Sequence, residues 1–99
     1  MNTVTINTSK ERDLRHAKTM WNWSREKIAT CETRITLYKE LLQGVVHSTH
    51  DADRALAADY QSAIRTWEDR QKHWQDASLI DSRNFYEIKL DLSELKTAV

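Results

Sequence analysis

Apolar and small residues recur along residues 14–45 at alternating steps of three and four. This spacing places one continuous stripe on one side of an α-helix. The stripe consists of Leu14, Ala17, Trp21, Ser24, Ile28, Cys31, Ile35, Tyr38, Leu42 and Val45. Because a helix buries such a stripe against another element, the pattern predicts a partner helix.

A second run with the same spacing follows a polar break. It consists of Leu56, Tyr60, Ala63, Trp67, Arg70, Trp74, Ala77 and Asp81. If the chain reverses near Thr49, a single antiparallel register aligns the two runs, and in three of its layers a tryptophan then faces a small residue, as close packing requires. The register pairs Tyr38 with Tyr60, Cys31 with Trp67, Ser24 with Trp74, and Trp21 with Ala77. We therefore predict a mainly α protein, built as a long antiparallel two-helix coiled-coil hairpin.

Both ends of the chain show a period of two in place of the heptad. Residues 3–8 alternate polar with aliphatic side chains at Val4 and Ile6, and residues 87–92 alternate charged with aliphatic side chains. Strict alternation is typical of β-strands. We predict a single domain over 1–99 in the order β-α-α-β, with these strands covering the hairpin base around Leu79 and Ile80. Its elements are a strand-like segment at 1–8, helices at 9–47 and 52–82 joined by a turn at 48–51, a strand-like segment at 85–92, and a tail at 93–99 that is either a helical turn or irregular.

Composition narrows the class of partner. The 15 basic and 15 acidic residues balance, which removes the electrostatic case for nucleic acid or an anionic membrane as the main partner. The chain shows neither an apolar run long enough for a membrane span nor a signal peptide, so we expect a cytoplasmic protein. The single cysteine, Cys31, lies on the stripe and is predicted to be a small buried hydrophobe.

Several apolar residues lie off the predicted stripes and are candidates for partner binding. Tryptophan is enriched among interface hot spots, although the terminal strands are an alternative cover for Trp23 and Met20. The strand at 85–92 would offer an open edge to a second chain. We predict a partner-binding set of Trp23, Leu37, Leu41, Val46, Ile88, Leu90 and Leu92.

The polar turn is the main candidate for metal binding. It contains imidazole and carboxylate groups suited to zinc or nickel, at His47, His50, Asp51 and Asp53. Helix capping explains the same residues, and the turn does not supply a full tetrahedral ligand set by itself. We predict no metal and no cofactor. Without a Gly-rich phosphate loop or a Ser/His/Asp arrangement in the sequence, we predict no catalytic residue either.

These observations favour a non-enzymatic protein-binding module, acting as an adaptor, inhibitor or assembly subunit. We expect it to dock on another protein and to self-associate as a homodimer, since a chain of this length gains stability from extra burial. The alternative is a nucleic-acid-associated accessory protein. That alternative would use the basic side of helix 1, formed by Arg12, Arg15, Lys18, Arg25 and Lys27.

Overall fold

The computed structural model describes residues 3–97, with side chains from residue 8 onward. It contains two α-helices: α1 spans Thr3–Val45 and α2 spans Asp51–Thr97. The helices pack against each other as a hairpin. The predicted mainly α hairpin is confirmed.

The end of α1 is closed by backbone hydrogen bonds. Val46 donates its N–H to the carbonyl of Leu42 at 2.9 Å, and Ser48 donates its N–H to the carbonyl of Val45 at 3.1 Å. These bonds satisfy carbonyls that have no partner within the helix. Consequently α1 ends in an ordered turn close to the predicted position.

The start of α2 is capped by the same turn. The N–H of Arg54 donates to the carbonyl of His50 at 3.0 Å, which makes His50 the residue that precedes the first helical position. The Ser48 hydroxyl accepts a hydrogen bond from the N–H of His50 at 3.2 Å and donates one to the Asp53 carboxylate at 2.7 Å. Asp51 and Asp53 lie in the first turn of α2, where negative charge is favourable to the helix dipole.

The predicted β-like termini are wrong over the part of the chain that the structure describes. Residues 3–8 belong to α1, and residues 85–92 lie inside α2, which continues through 93–97. Residues 1, 2, 98 and 99 of the predicted strand and tail lie outside the described residues. A helix satisfies its backbone groups internally, whereas an isolated two-stranded ribbon leaves open edges and is marginal in water. The helical form therefore prevails over a short alternating pattern.

The α1 stripe is confirmed position by position. All of its predicted members, from Leu14 to Val45, are buried or half-buried. In α2 the buried and half-buried positions include a longer heptad than predicted. It runs through Asp53, Ala57, Tyr60, Ile64, Trp67, Gln71, Trp74, Ser78, Asp81, Phe85, Ile88, Leu92 and Leu95.

At alternate positions of the α2 heptad, the residue that faces α1 is one position later in the sequence than predicted. Leu56 and Arg70, both predicted to face α1, are exposed, whereas Ala57 and Gln71 are half-buried. Ile64 is buried and its neighbour Ala63 is half-buried. The helix is thus turned slightly from the predicted orientation, which brings the larger side chain of Ile64 into the core.

The hairpin divides into two compact units, each built from one segment of each helix. Unit 1 comprises the described parts of Met1–Arg25 and Gln75–Val99, and unit 2 comprises Glu26–Trp74.

Unit 2 has an aliphatic core flanked by aromatic contacts. Cys31, Ile35 and Ile64 are buried, and the rings of Tyr38 and Tyr60 lie 6.1 Å apart between centroids. This tyrosine layer is one of the layers of the predicted register. The facing of Cys31 and Trp67 stays a prediction.

Two arginine guanidinium groups lie near the indole ring of Trp67 in unit 2. The Cζ atoms of Arg70 and Arg34 lie 4.6 Å and 5.7 Å from its ring centroid. Arginines at such distances are attracted by the aromatic quadrupole. Arg70, which occupies a position of the predicted seam, is exposed and places its guanidinium near the indole ring.

Unit 1 has smaller residues in its core and an aromatic cluster beside it. Ser24 is fully enclosed at 0% exposure, and its hydroxyl donates to the carbonyl of Trp21 at 2.9 Å. The Trp21 ring lies 5.5 Å from Phe85 and 5.7 Å from Tyr86 between centroids. The single predicted register does not account for this cluster, because it paired Trp21 with Ala77 and placed Phe85 in a strand.

Candidate protein-binding faces

The predicted partner-binding residues of α1 and the turn are exposed. Trp23, Leu37, Leu41 and Val46 retain 45%, 43%, 40% and 41% of their accessible surface. Leu37 and Leu41 are one helical turn apart, so they lie on the same side of α1 in unit 2. These four side chains are therefore partly available to a partner.

A shallow depression of about 470 Å³ lies beside Leu37 in unit 2. It is lined by Ala29, Glu32, Thr33, Thr36, Leu37 and Glu40. The hydroxyl of Thr33 donates to the carbonyl of Ala29 at 3.0 Å, which satisfies that hydroxyl within the helix. The depression therefore offers mainly small groups and two flanking carboxylates.

The predicted partner-binding residues of α2 do not share one face. Ile88 is half-buried and Leu92, at 5% exposure, is buried, while Leu90 is 60% exposed. A strand would align these three alternating residues, but successive positions of a helix point in different directions. Leu92 belongs to the core, so its prediction as a partner-binding residue is corrected. Leu90 faces outward.

Three of the four most exposed large apolar residues were missed by the sequence reasoning. Leu79, Ile80 and Tyr86 are 69%, 62% and 56% exposed. The first two were expected beneath terminal strands that the structure replaces with helix. Leu79 and Tyr86 belong to a second stripe at heptad spacing, whereas Ile80 lies outside it. The stripe has steps of four, three and four through Leu79, Arg83, Tyr86 and Leu90. We call these four residues the outer face of α2.

The outer face of α2 lies entirely within unit 1 and covers about three helical turns, or roughly 16 Å. Its central ring is held in place: Tyr86 lies 5.3 Å from Phe85 between centroids, and the Lys89 Nζ atom is 6.0 Å from the Tyr86 ring. With the Trp21 contact, these neighbours orient the tyrosine while leaving much of it exposed. A side chain ordered in advance loses less entropy on binding.

Unit 1 also contains an open groove of about 500 Å³, which is lined by both polar and apolar side chains. Its lining includes the carboxylates of Asp13, Asp81, Glu87 and Asp91, together with His16. Lys10 approaches Asp91 with an Nζ–Oδ2 distance of 3.4 Å, an exposed ion pair of the kind that contributes little to stability. Among the described side chains, no group of three or more His, Cys, Asp or Glu residues is arranged to hold a metal ion.

The histidine-rich turn serves as a helix cap. The Asp53 carboxylate accepts the Ser48 hydroxyl, and the backbone of His50 donates to the same hydroxyl oxygen. His47, His50 and Asp51 are exposed. The structure therefore gives the turn a structural role and does not gather its four candidate ligands into one site.

The basic residues of α1 are divided between solvent and the core aromatics. Arg12, Arg15 and Lys18 are exposed, whereas Lys27 is half-buried. The Cζ atom of Arg25 lies 5.5 Å from the Trp21 ring centroid. Part of the predicted basic side is therefore packed on the hairpin itself.

Within residues 3–97, neither helix has a segment apolar enough to cross a membrane. Comparison with known proteins does not yield a relative: no protein-family model, no curated protein and no solved structure matches this chain. The geometry of the exposed faces is therefore the basis for a functional proposal.

Proposed function

We propose that this protein is a non-enzymatic protein-binding module that docks on another protein through the outer face of α2. One observation carries the proposal: Leu79, Tyr86 and Leu90 are 69%, 56% and 60% exposed, at positions of α2 outside the packed seam. Single exposed apolar residues are ordinary on protein surfaces, but a contiguous group marks an interaction site.

The spacing of these residues suits recognition of a helix. Anchors separated by about one and two turns of a helix fit a hydrophobic groove or a neighbouring helix. Full burial of each large apolar side chain is worth roughly 1.5 to 3 kcal/mol before the costs of association are subtracted. Three such anchors, with Tyr86 already oriented by Trp21, supply the energy for a specific but reversible complex.

The proposal includes a second contact region and a compartment. Leu37 and Leu41 on α1 would contact a different partner from the one that the outer face of α2 binds, which is the arrangement expected of an adaptor, inhibitor or assembly subunit. We place the protein in the cytoplasm, where a free buried thiol such as that of Cys31 stays reduced.

The test compares two double variants of the tagged full chain. Leu79→Glu with Leu90→Glu alters the outer face of α2, and Leu37→Glu with Leu41→Glu is the matched control on α1. Proteins that copurify from a lysate of the source organism are quantified by mass spectrometry. The leading candidate is then purified and its binding is measured by calorimetry.

We expect a partner that binds the wild-type chain and the α1 control but loses at least about tenfold in affinity with the α2 variant, equivalent to 1.4 kcal/mol. Circular dichroism should show that both variants keep the helicity of the wild type. Undiminished binding to the α2 variant would overturn the proposal.

A further inference from the structure

The residues of the outer face of α2 are spaced symmetrically along the helix, with a leucine at each end. Its steps of four, three and four read the same in both directions along the helix, with Leu79 and Leu90 at the two ends and Arg83 and Tyr86 at the centre. All four residues are exposed. In a symmetric dimer, residue i of one copy contacts residue j of the other, and j contacts i in return. A face with this order is complementary to a reversed copy of itself.

We propose that the outer face of α2 binds the same face of a second copy, antiparallel about a two-fold axis between Arg83 and Tyr86. The inference rests on the proposed function, because it names the partner of the same face. Leu79 then packs on the second copy's Leu90 at both ends of the contact. Arg83 lies over the second copy's Tyr86 at its centre, and this pair also occurs twice.

The chemistry of the central pair favours this orientation over a parallel one. A guanidinium is attracted to the face of an aromatic ring, and this chain already uses such a contact where Arg70 Cζ lies 4.6 Å from the Trp67 ring centroid. In a parallel pair, Arg83 would face the second copy's Arg83, and the two like charges would repel. Repulsion of the wrong arrangement is a recognised source of specificity.

The layer geometry is that of an antiparallel coiled coil. A heptad has two core positions, a and d. In the second stripe Leu79 and Tyr86 share one of them, and Arg83 and Leu90 share the other. Each layer of the proposed contact therefore joins one residue of each class. The contact covers only about three turns, so it falls among interfaces below about 1,200 Å², and we expect a dissociation constant on the order of 10 to 100 µM.

The first test is sedimentation equilibrium of the untagged full chain across the expected dissociation constant. The wild type should pass from monomer to dimer as concentration rises. Leu79→Glu with Leu90→Glu should remain monomeric with unchanged helicity, and the control Leu37→Glu with Leu41→Glu should dimerise as the wild type does. A wild type that stays monomeric overturns the proposal, as does a dimer that only the α1 control disrupts.

The second test uses cysteine pairs to read the orientation. Leu79→Cys and Leu90→Cys variants are oxidised separately and as an equal mixture, with the wild type reporting any contribution from the buried Cys31. Antiparallel packing brings position 79 beside position 90, and it separates two copies of position 79 by about eleven residues, or roughly 16 Å of helix. The mixture should form the disulfide dimer at least about tenfold faster than either variant alone. Only a dimer of the two different variants holds the reacting sulfurs within bonding distance.

Faster cross-linking of the Leu79→Cys variant with itself would show parallel packing and would overturn the proposal. The two proposals fail separately. Suppose that the wild type is monomeric and binds a different protein, and that the variant with Leu79 and Leu90 substituted does not bind it. The second-copy inference is then wrong and the proposed function stands. If the same substitutions abolish neither dimer nor partner, both are wrong.

Discussion

The two units of the hairpin differ in their buried residues and, more strongly, in the apolar residues that they expose. Unit 2 buries Cys31, Ile35 and Ile64, and unit 1 buries Ala17, Ser24 and Leu92. The large apolar residues that unit 2 exposes retain 40% to 43% of their surface, whereas those on α2 in unit 1 retain 56% to 69%. The α2 segment of unit 1 thus carries more apolar side chains than its packing against α1 uses.

We propose that this difference separates residues that stabilise the hairpin from residues that bind a partner, on different sides of one helix. The seam residue Leu92 and the outward residue Leu90 are only two positions apart, yet their environments differ completely. Overall hydrophobicity of the segment does not separate the two roles. The position of each residue around the helix axis does separate them. Substitutions in the seam and substitutions on the exposed side can therefore test each role independently.

The largest expected effect separates the two sides of α2 in unit 1. Leu92→Ala should lower the free energy of unfolding by about 2 to 5 kcal/mol, because it removes buried methyl groups and leaves a cavity. Leu90→Ala should lower it by less than about 0.5 kcal/mol, as expected for a surface substitution. Urea unfolding followed by circular dichroism measures both, and equal losses would contradict the helical phase.

A comparable effect is expected at the phase correction in unit 2. Ile64→Ala should cost about 2 to 4 kcal/mol in unfolding free energy, since Ile64 is buried. Leu56→Ala should cost less than about 1 kcal/mol, because Leu56 is exposed rather than part of the seam. A larger loss at Leu56 than at Ile64 would restore the phase first predicted from the sequence.

The smallest expected effect is a gain in stability on the exterior of unit 2. Gly44 lies inside α1, and a Cβ atom added there would meet nothing within 4 Å. Gly44→Ala should therefore raise the unfolding free energy by about 0.5 to 1 kcal/mol, because alanine has less backbone freedom to lose. The reverse change at an exposed helical position, Ala29→Gly, should lower it by a similar amount. Thermal unfolding of both variants checks the pair, and a fall in stability on Gly44→Ala would show a close contact at that position.

The hairpin could be predicted from the sequence because the heptad of α1 is unbroken. The seam of α1 can be recognised from the sequence of that helix alone, and every predicted position in it is buried or half-buried. In α2 the choice between Ala63 and Ile64 could not be made from spacing alone. Both are apolar and adjacent, and packing against α1 decides which one is enclosed.

The ends of the chain were mispredicted because a local alternation was given more weight than a longer repeat. Residues 87–92 alternate, but Phe85, Ile88 and Leu92 also continue the α2 heptad at steps of three and four. That error hid three of the four residues of the outer face of α2. Once strands were assigned, Leu79 was expected beneath them, so its exposure could not be inferred, whereas Leu37 and Leu41 were recognised because they lie off an unbroken heptad.

Residue-resolved carbene footprinting tests most directly the claim that α2 has one packed and one free apolar side. In dilute protein, labelling should be high at Leu79, Tyr86 and Leu90 and low at Phe85 and Leu92. At concentrations above the expected dissociation constant of the dimer, the first three residues should become protected while labelling of the last two stays unchanged. Equal labelling of Leu90 and Leu92 in dilute protein, or no protection of the outer face at any concentration and with any bound protein, would contradict the account.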